Sequence, residues 1–102
     1  MAKQLLQVNF IWDGTLDEAM EAFAPMVQMI ADQPGLTWKV WCWNDDAHEF
    51  AGEYLFENPS ALNGYLGGPI VGQLKNHPKI NNLSAKVFDV LEEPSKATRG
   101  PV

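Results

Sequence analysis

The chain has a single cysteine, Cys42, among 102 residues. One thiol closes no intrachain disulfide, which excludes a disulfide-stapled secreted scaffold. Cations are scarce as well: seven Lys and Arg against thirteen Asp and Glu give a formal charge of −6. A nucleic-acid partner needs clustered Lys and Arg to replace phosphate counterions, and only Lys75 and Lys79 stand close together. Neither nucleic acid nor an anionic membrane surface is therefore an expected partner. His48 and His77 lie 29 positions apart with no second ligand at metal-like spacing, so no metal site is expected. No apolar run approaches the roughly 18 residues of a membrane span. The opening Met1-Ala2-Lys3-Gln4 has no signal-peptide pattern, and a soluble cytoplasmic protein is the expectation. The sequence also lacks Gly-x-Ser-x-Gly, and Gly67 to Gly72 shares only its glycines with a phosphate loop.

What is present is ordinary globular composition, 46% hydrophobic and 20% charged, with four tryptophans. Lys3 to Trp12 alternates as a strand, with Leu6, Val8, Phe10 and Trp12 on one face. Thr15-Leu16-Asp17-Glu18 has the pattern of a capping box, and Leu16, Met20, Phe23, Val27 and Ile30 follow as the expected buried stripe of a helix. Pro25 predicts a kink there, and Pro34-Gly35 a stop. Leu36 to Trp43 and Glu49 to Phe56 read as a hairpin, and Asn58-Pro59 opens a helix interrupted at Gly67-Gly68-Pro69. Asn82 to Leu91 is the last strand.

The order β-α-β-β-α-β predicts an α+β fold of ferredoxin-like type, two helices on one face of a four-stranded antiparallel sheet. It spans residues 1–91 as a single domain. Residues 92–102 read as a polar tail, either frayed or lying on a partner. The second sheet face carries Leu5, Ile11 and aromatics, so a second copy of the chain is expected to cover it.

Three of the four tryptophans fall within six residues, in Thr37-Trp38-Lys39-Val40-Trp41-Cys42-Trp43. Alternation puts Trp38 and Val40 on one face and Lys39, Trp41 and Trp43 on the other. Only one of Trp38 and Trp41 then lines a pocket on the helical side. Lys39 has three readings: over a ring face, paired with Glu53 across the hairpin, or pointing into a cavity. Cys42 reads as a small packed residue rather than a nucleophile. An apolar pocket between sheet and helices is expected, bounded by Trp38 or Trp41 with Tyr54, Phe56 and Tyr65. A site of that kind suits a planar aromatic ligand. Tyr54→Phe is expected there to weaken binding with little effect on stability.

Leu5-Leu6-Gln7, Pro34-Gly35, Trp38-Lys39-Val40-Trp41, His48-Glu49, Gly52-x-Tyr54-Leu55-Phe56, Ala61 with Tyr65-Leu66, and Ala85 to Val90 together resemble the YdhR-like mono-oxygenases. That family belongs to the dimeric α+β barrel superfamily. The segment from Gly67 to Pro78 departs from it, with Gln73 where the family tends to carry an arginine. The resemblance implies a homodimer with its sheets packed together and one pocket per subunit. It implies a mono-oxygenase that works without a cofactor on a small phenol or hydroquinone. The alternatives are a small-molecule binding protein or a non-oxidative cyclase or isomerase using the same pocket. On the oxygenase reading Lys39, Tyr54 and His77 are the candidate catalytic residues, and Trp38, Trp41, Phe56 and Tyr65 hold the substrate. The base is expected to be His77 or Tyr65, with donors supplied by Lys39, Tyr54, Trp38 and Trp41. His48 serves either catalysis or pairing with Asp45, Asp46 or Glu49.

Overall fold

In the computed structural model, which describes residues 3–102, the alternating segment Gln4–Trp12 forms strand β1 and buries Leu6, Val8, Phe10 and Trp12. Met1 and Ala2, the first residues of the expected domain, lie outside the described residues. Helix α1 (Leu16–Ala31) begins with a complete capping box: the Thr15 hydroxyl accepts from the Glu18 N–H at 3.2 Å, and the Glu18 carboxylate accepts from the Thr15 N–H. The helix runs on through Pro25, which lies on its exposed side and offers no N–H to the Glu21 carbonyl.

The buried stripe of α1 is Ala19, Phe23, Met26 and Ile30. Met20 and Val27, expected inside, remain 43% and 45% exposed. Both stripes share Phe23 and Ile30 and the same spacing rhythm. The two stripes are offset by one position, so Ala19 and Met26 turn inward and Met20 and Val27 stay on the flanks of the helix.

Gly35 turns the chain with a φ of +78° and faces Ala61, whose methyl leaves no room for a side chain at position 35. Strands β2 (Leu36–Asn44) and β3 (Glu49–Phe56) form the hairpin, with His48 in the left-handed region at φ 51°. The Asn58 side chain accepts from the Ala61 N–H at 2.9 Å and starts α2 (Pro59–Leu66). Gly67 and Gly68 separate it from α3 (Pro69–Asn76), before β4 (Ile80–Asp89) and a short α4 (Glu92–Ala97). The sheet order is β2-β3-β1-β4 and every pair is antiparallel, the ferredoxin-like arrangement with its second helix broken in two. No helix among the described residues is long and apolar enough to cross a membrane.

The uncovered face is more polar than its sequence suggested. Across its middle, Gln7 pairs in register with Glu53 and Lys86, and the Gln7 amide donates to Glu53 at 3.0 Å. Asn9 likewise donates to Glu49 at 3.2 Å. Cys42, expected to be packed, is exposed there. The apolar row is at one end, where Phe88, Leu5, Leu55 and Trp38 stand side by side. The last residues return over this row. Trp38 Nε1 donates to the Pro101 carbonyl at 2.8 Å, Lys3 approaches Glu92 at 3.9 Å, and Leu55 is wholly buried. Residues 92–102 thus fold onto their own sheet as a helix and a turn.

Replacing Gly35 by alanine is expected to destabilise the fold by on the order of 2 kcal/mol or more, through positive φ and the collision with Ala61. Chemical denaturation of the two proteins checks it.

Candidate functional site

The β2–β3 register decides what faces the helices. Lys39 stands opposite Tyr54, Trp41 opposite Gly52 and Trp43 opposite Phe50. On the other side of β3, Tyr54 pairs with Leu6 and Gly52 with Val8, whose side chains are buried beneath the helices. Lys39, Trp41 and Tyr54 therefore share the helix-covered face, whereas Trp38 lies on the opposite one. The geometry resolves the alternative between the two tryptophans in favour of Trp41 for the interior.

A cavity with about 20 Å³ of free space opens among Lys39, Trp41, Gly52, Tyr54 and the rings of Phe10, Phe23 and Phe50. That is room for about one water molecule. Phe10 stacks on Phe50 with centroids 5.2 Å apart, and Phe23 meets both edge-on at 5.8 and 5.5 Å. Met26, Ile30 and Leu74 complete the wall from α1 and α3. A second hollow of about 220 Å³ lies between the end of α1 and β2, bordered by Val27, Leu36 and Trp38. Ile30, Lys39 and Trp41 line both. Lys39 and Trp41 thus stand at the boundary of an inner and an outer chamber, and Val27 is exposed because it borders the outer one.

Of the three readings of Lys39, the structure combines two. Its Nζ lies 3.4 Å from the Trp41 ring centroid and 4.3 Å from that of Tyr54, at the cavity wall. Glu53 is excluded as partner because it faces the open side of the sheet with Gln7. Among the described residues the ion pairs use Lys3, Lys79 and Lys96, and Lys39 makes none. With no counter-charge, burial pushes its ammonium down to about 7. Gly52 makes this placement possible. A methyl group there would stand 3.0 Å from Lys39 Cε and 3.2 Å from the Tyr54 ring. A glycine inside a strand is a sequence sign of such a close approach, and it was the signal available for this residue. The phenylalanine walls were signalled only by their strand and helix faces.

Tyr54 and Tyr65 are joined through their hydroxyls at 2.8 Å, both nearly wholly buried. Burial raises both phenols above their ordinary value, so both stay protonated and act as hydrogen-bond groups rather than bases. Phe56 stacks on Tyr54 at 6.1 Å and is fully buried. Phe56 and Tyr65 therefore lie behind Tyr54 and do not bound the cavity as expected. His77 is also elsewhere. Its ring packs on Trp12 at 5.2 Å, and its Nδ1 accepts from the Lys79 N–H at 3.2 Å. His48 packs beside Trp43 at 5.4 Å rather than pairing with a carboxylate. No three His, Cys, Asp or Glu side chains converge among the described residues.

The sequence profile of the family described as "Putative mono-oxygenase ydhR" matches residues 5–101. The chain belongs to this family. No curated protein matches the sequence. Among solved structures, a variant of SnoaB, a cofactor-independent oxygenase from Streptomyces nogalater, is 15% identical with a TM-score of 0.73, covering 90% of this chain and 96% of that one. Protein SO0527 from Shewanella oneidensis is 8% identical with a TM-score of 0.73, covering 87% and 91%. The heme-degrader MhuD from Mycobacterium tuberculosis is 17% identical with a TM-score of 0.65, covering 85% and 95%. At these identities the likeness is one of fold.

Two consequences are measurable. Tyr54→Phe leaves the buried Tyr65 hydroxyl without its partner, so it is expected to cost about 1–3 kcal/mol rather than to be silent. Tyr54→Phe combined with Tyr65→Phe is expected to cost clearly less than the two single changes added, which denaturant titration of the cycle reads directly. Lys39 binds fewer protons folded than unfolded between pH 7 and 10.5, so its contribution to stability rises with pH across that window and is least favourable below pH 7. Lys39→Met is therefore expected to be more stable than the parent by roughly 1–3 kcal/mol at pH 6, the lost cation–π contact offsetting part of the gain. The gap closes towards pH 10.5.

Proposed function

We propose that this chain is a cofactor-independent mono-oxygenase for a small phenol or hydroquinone, with Lys39 as the group that takes the phenolic proton. The observation that carries the reading is an amine without a counter-charge, lying over two aromatic rings at the wall of an apolar cavity. The family supplies the coarse class, and the fold shared with SnoaB supports the cofactor-independent form.

Such a reaction needs an electron-rich ring to reduce oxygen itself. Deprotonation raises the ring's electron density. One oxygen atom then enters the ring and the other leaves as water, with the electrons drawn from the substrate. A neutral Lys39 accepts the phenolic proton, and the ammonium so formed lies beside the phenolate. That pairing raises the affinity of Lys39 for its proton and stabilises the anion together. Trp41, Ile30 and Leu36 line the outer hollow of about 220 Å³, which has room for a ring, and keep water from the intermediate. Tyr54 and Tyr65, held protonated, serve as a hydrogen-bonding pair, and His77 has no part in the proton transfer.

The reading extends to a homodimer. Val40, Phe88 and Leu91 on or beside the uncovered face are 51%, 47% and 70% exposed, an apolar surface that a second copy would cover.

Oxygen uptake with a panel of hydroquinones and naphthols tests the chemistry. Turnover is expected to rise with pH and to be half-maximal near pH 7 in kcat/KM, where Lys39 loses its charge. Lys39→Met is expected to lower kcat by about 10²–10⁴-fold. Quenching of tryptophan fluorescence by these compounds without oxygen uptake would instead favour a binding protein. Light scattering at micromolar concentration tests the dimer, and a monomer overturns it.

A further inference from the structure

We propose that Lys39 is also a covalent site for aromatic aldehydes and ketones, which it binds as imines from the outer hollow between α1 and β2. The hollow holds about 220 Å³, and an apolar cavity of roughly 150 Å³ is enough for one benzene ring. Lys39 and Trp41 line both this hollow and the inner cavity, so the lysine side chain spans the boundary between the two. The Trp41 ring at 3.4 Å offers a flat wall beside the amine.

The surroundings favour an amine nucleophile. No carboxylate lines either chamber, and no ion pair among the described residues holds Lys39 charged. The titratable groups facing it are Tyr54 and, behind that ring, Tyr65, both kept neutral by burial. Lys39 accordingly carries a usable fraction of free amine at neutral pH, as a lysine desolvated in an apolar pocket does. The step is balanced without a redox partner. The amine nitrogen bonds to the carbonyl carbon, both amine hydrogens leave with the carbonyl oxygen as water, and a C=N bond remains. A saturated aldehyde is buried by the aliphatic lining but makes no ring–ring contact with Trp41, so the site favours a ring.

The proposal stands apart from the oxygenase reading, since imine formation consumes no oxygen. The test is reductive trapping of the full chain with benzaldehyde and cyanoborohydride, read by peptide mass spectrometry between pH 6 and 9. Mapping separates Lys39 from the amino terminus, whose amine also titrates near neutrality. Lys39 is expected to be labelled at least about tenfold faster at pH 7 than Lys3, Lys75, Lys79, Lys86 or Lys96, none of which lines either chamber. Butyraldehyde is expected to show a smaller preference. Gly52→Ala, which crowds the Lys39 stem, is expected to slow labelling at Lys39 and leave the surface lysines unchanged. Labelling spread evenly over the lysines, or a Gly52→Ala protein that is folded by circular dichroism and labels Lys39 as fast as the parent, overturns the proposal. Selective labelling without oxygen uptake supports it while the oxygenase reading falls. Oxygen uptake without selective labelling overturns it and leaves the oxygenase reading standing.

Discussion

The pairing of Lys39 with Tyr54 and of Trp41 with Gly52 is the constraint on which the site depends. Side chains alternate along a strand, so a slip of one residue between β2 and β3 would send Lys39 and Trp41 to the open face and Trp38 and Val40 under the helices. Several contacts hold the register. Trp43 packs on Phe50 with centroids 4.8 Å apart near the hairpin end. The Asn44 side chain accepts from the Ala47 N–H at 3.1 Å and shapes the turn itself. At the far end Trp38 stands beside buried Leu55 and is tied to the Pro101 carbonyl. Slippage would break all three at once.

Within that register, the same apolar surroundings act on two kinds of group in opposite senses. Burial disfavours charge, so it releases the proton of Lys39 more readily and holds those of Tyr54 and Tyr65 more tightly. The cation–π contacts with Trp41 and Tyr54 contribute about 0.5–2 kcal/mol towards the ammonium. That is less than the several kcal/mol that dehydrating an ion costs. Separated titration of this kind divides acid from base. The amine changes state near neutrality and the phenols do not.

Alternation in the sequence was enough to place Lys39 with Trp41 and apart from Trp38, and to place Tyr54 and Phe56 on one face. It carries no information about depth along the strand, so alternation alone puts Phe56 and Tyr65 at a pocket wall, whereas they form the layer behind Tyr54. The reading of α1 failed in a related way. Met20 and Val27 fit an apolar stripe as well as Ala19 and Met26 do, and hydrophobicity alone does not reveal which pair is turned inward. His77 was a candidate because of its residue type. What removes it is a tertiary contact with Trp12, at the far end of β1. The return of residues 92–102 onto the sheet was equally invisible, because its anchors pair positions as distant as Trp38 and Pro101.

A protein interior selected for stability alone has little use for an amine at position 39. Methionine would fill similar space, satisfy the same rings by dispersion and avoid dehydrating a charge. The fold nevertheless provides a glycine at position 52, against which the lysine stem lies, and an aromatic wall on either side of its nitrogen. Gly52 itself weakens a central strand. Two locally unfavourable residues that fit only each other are easier to explain by a chemical task for the amine than by packing, since local and global preferences otherwise agree across this fold. Trp38 connects that task to the rest of the chain. On the open face of β2 it donates to the Pro101 carbonyl, so the strand that carries the amine is held to the carboxy-terminal segment from its other side.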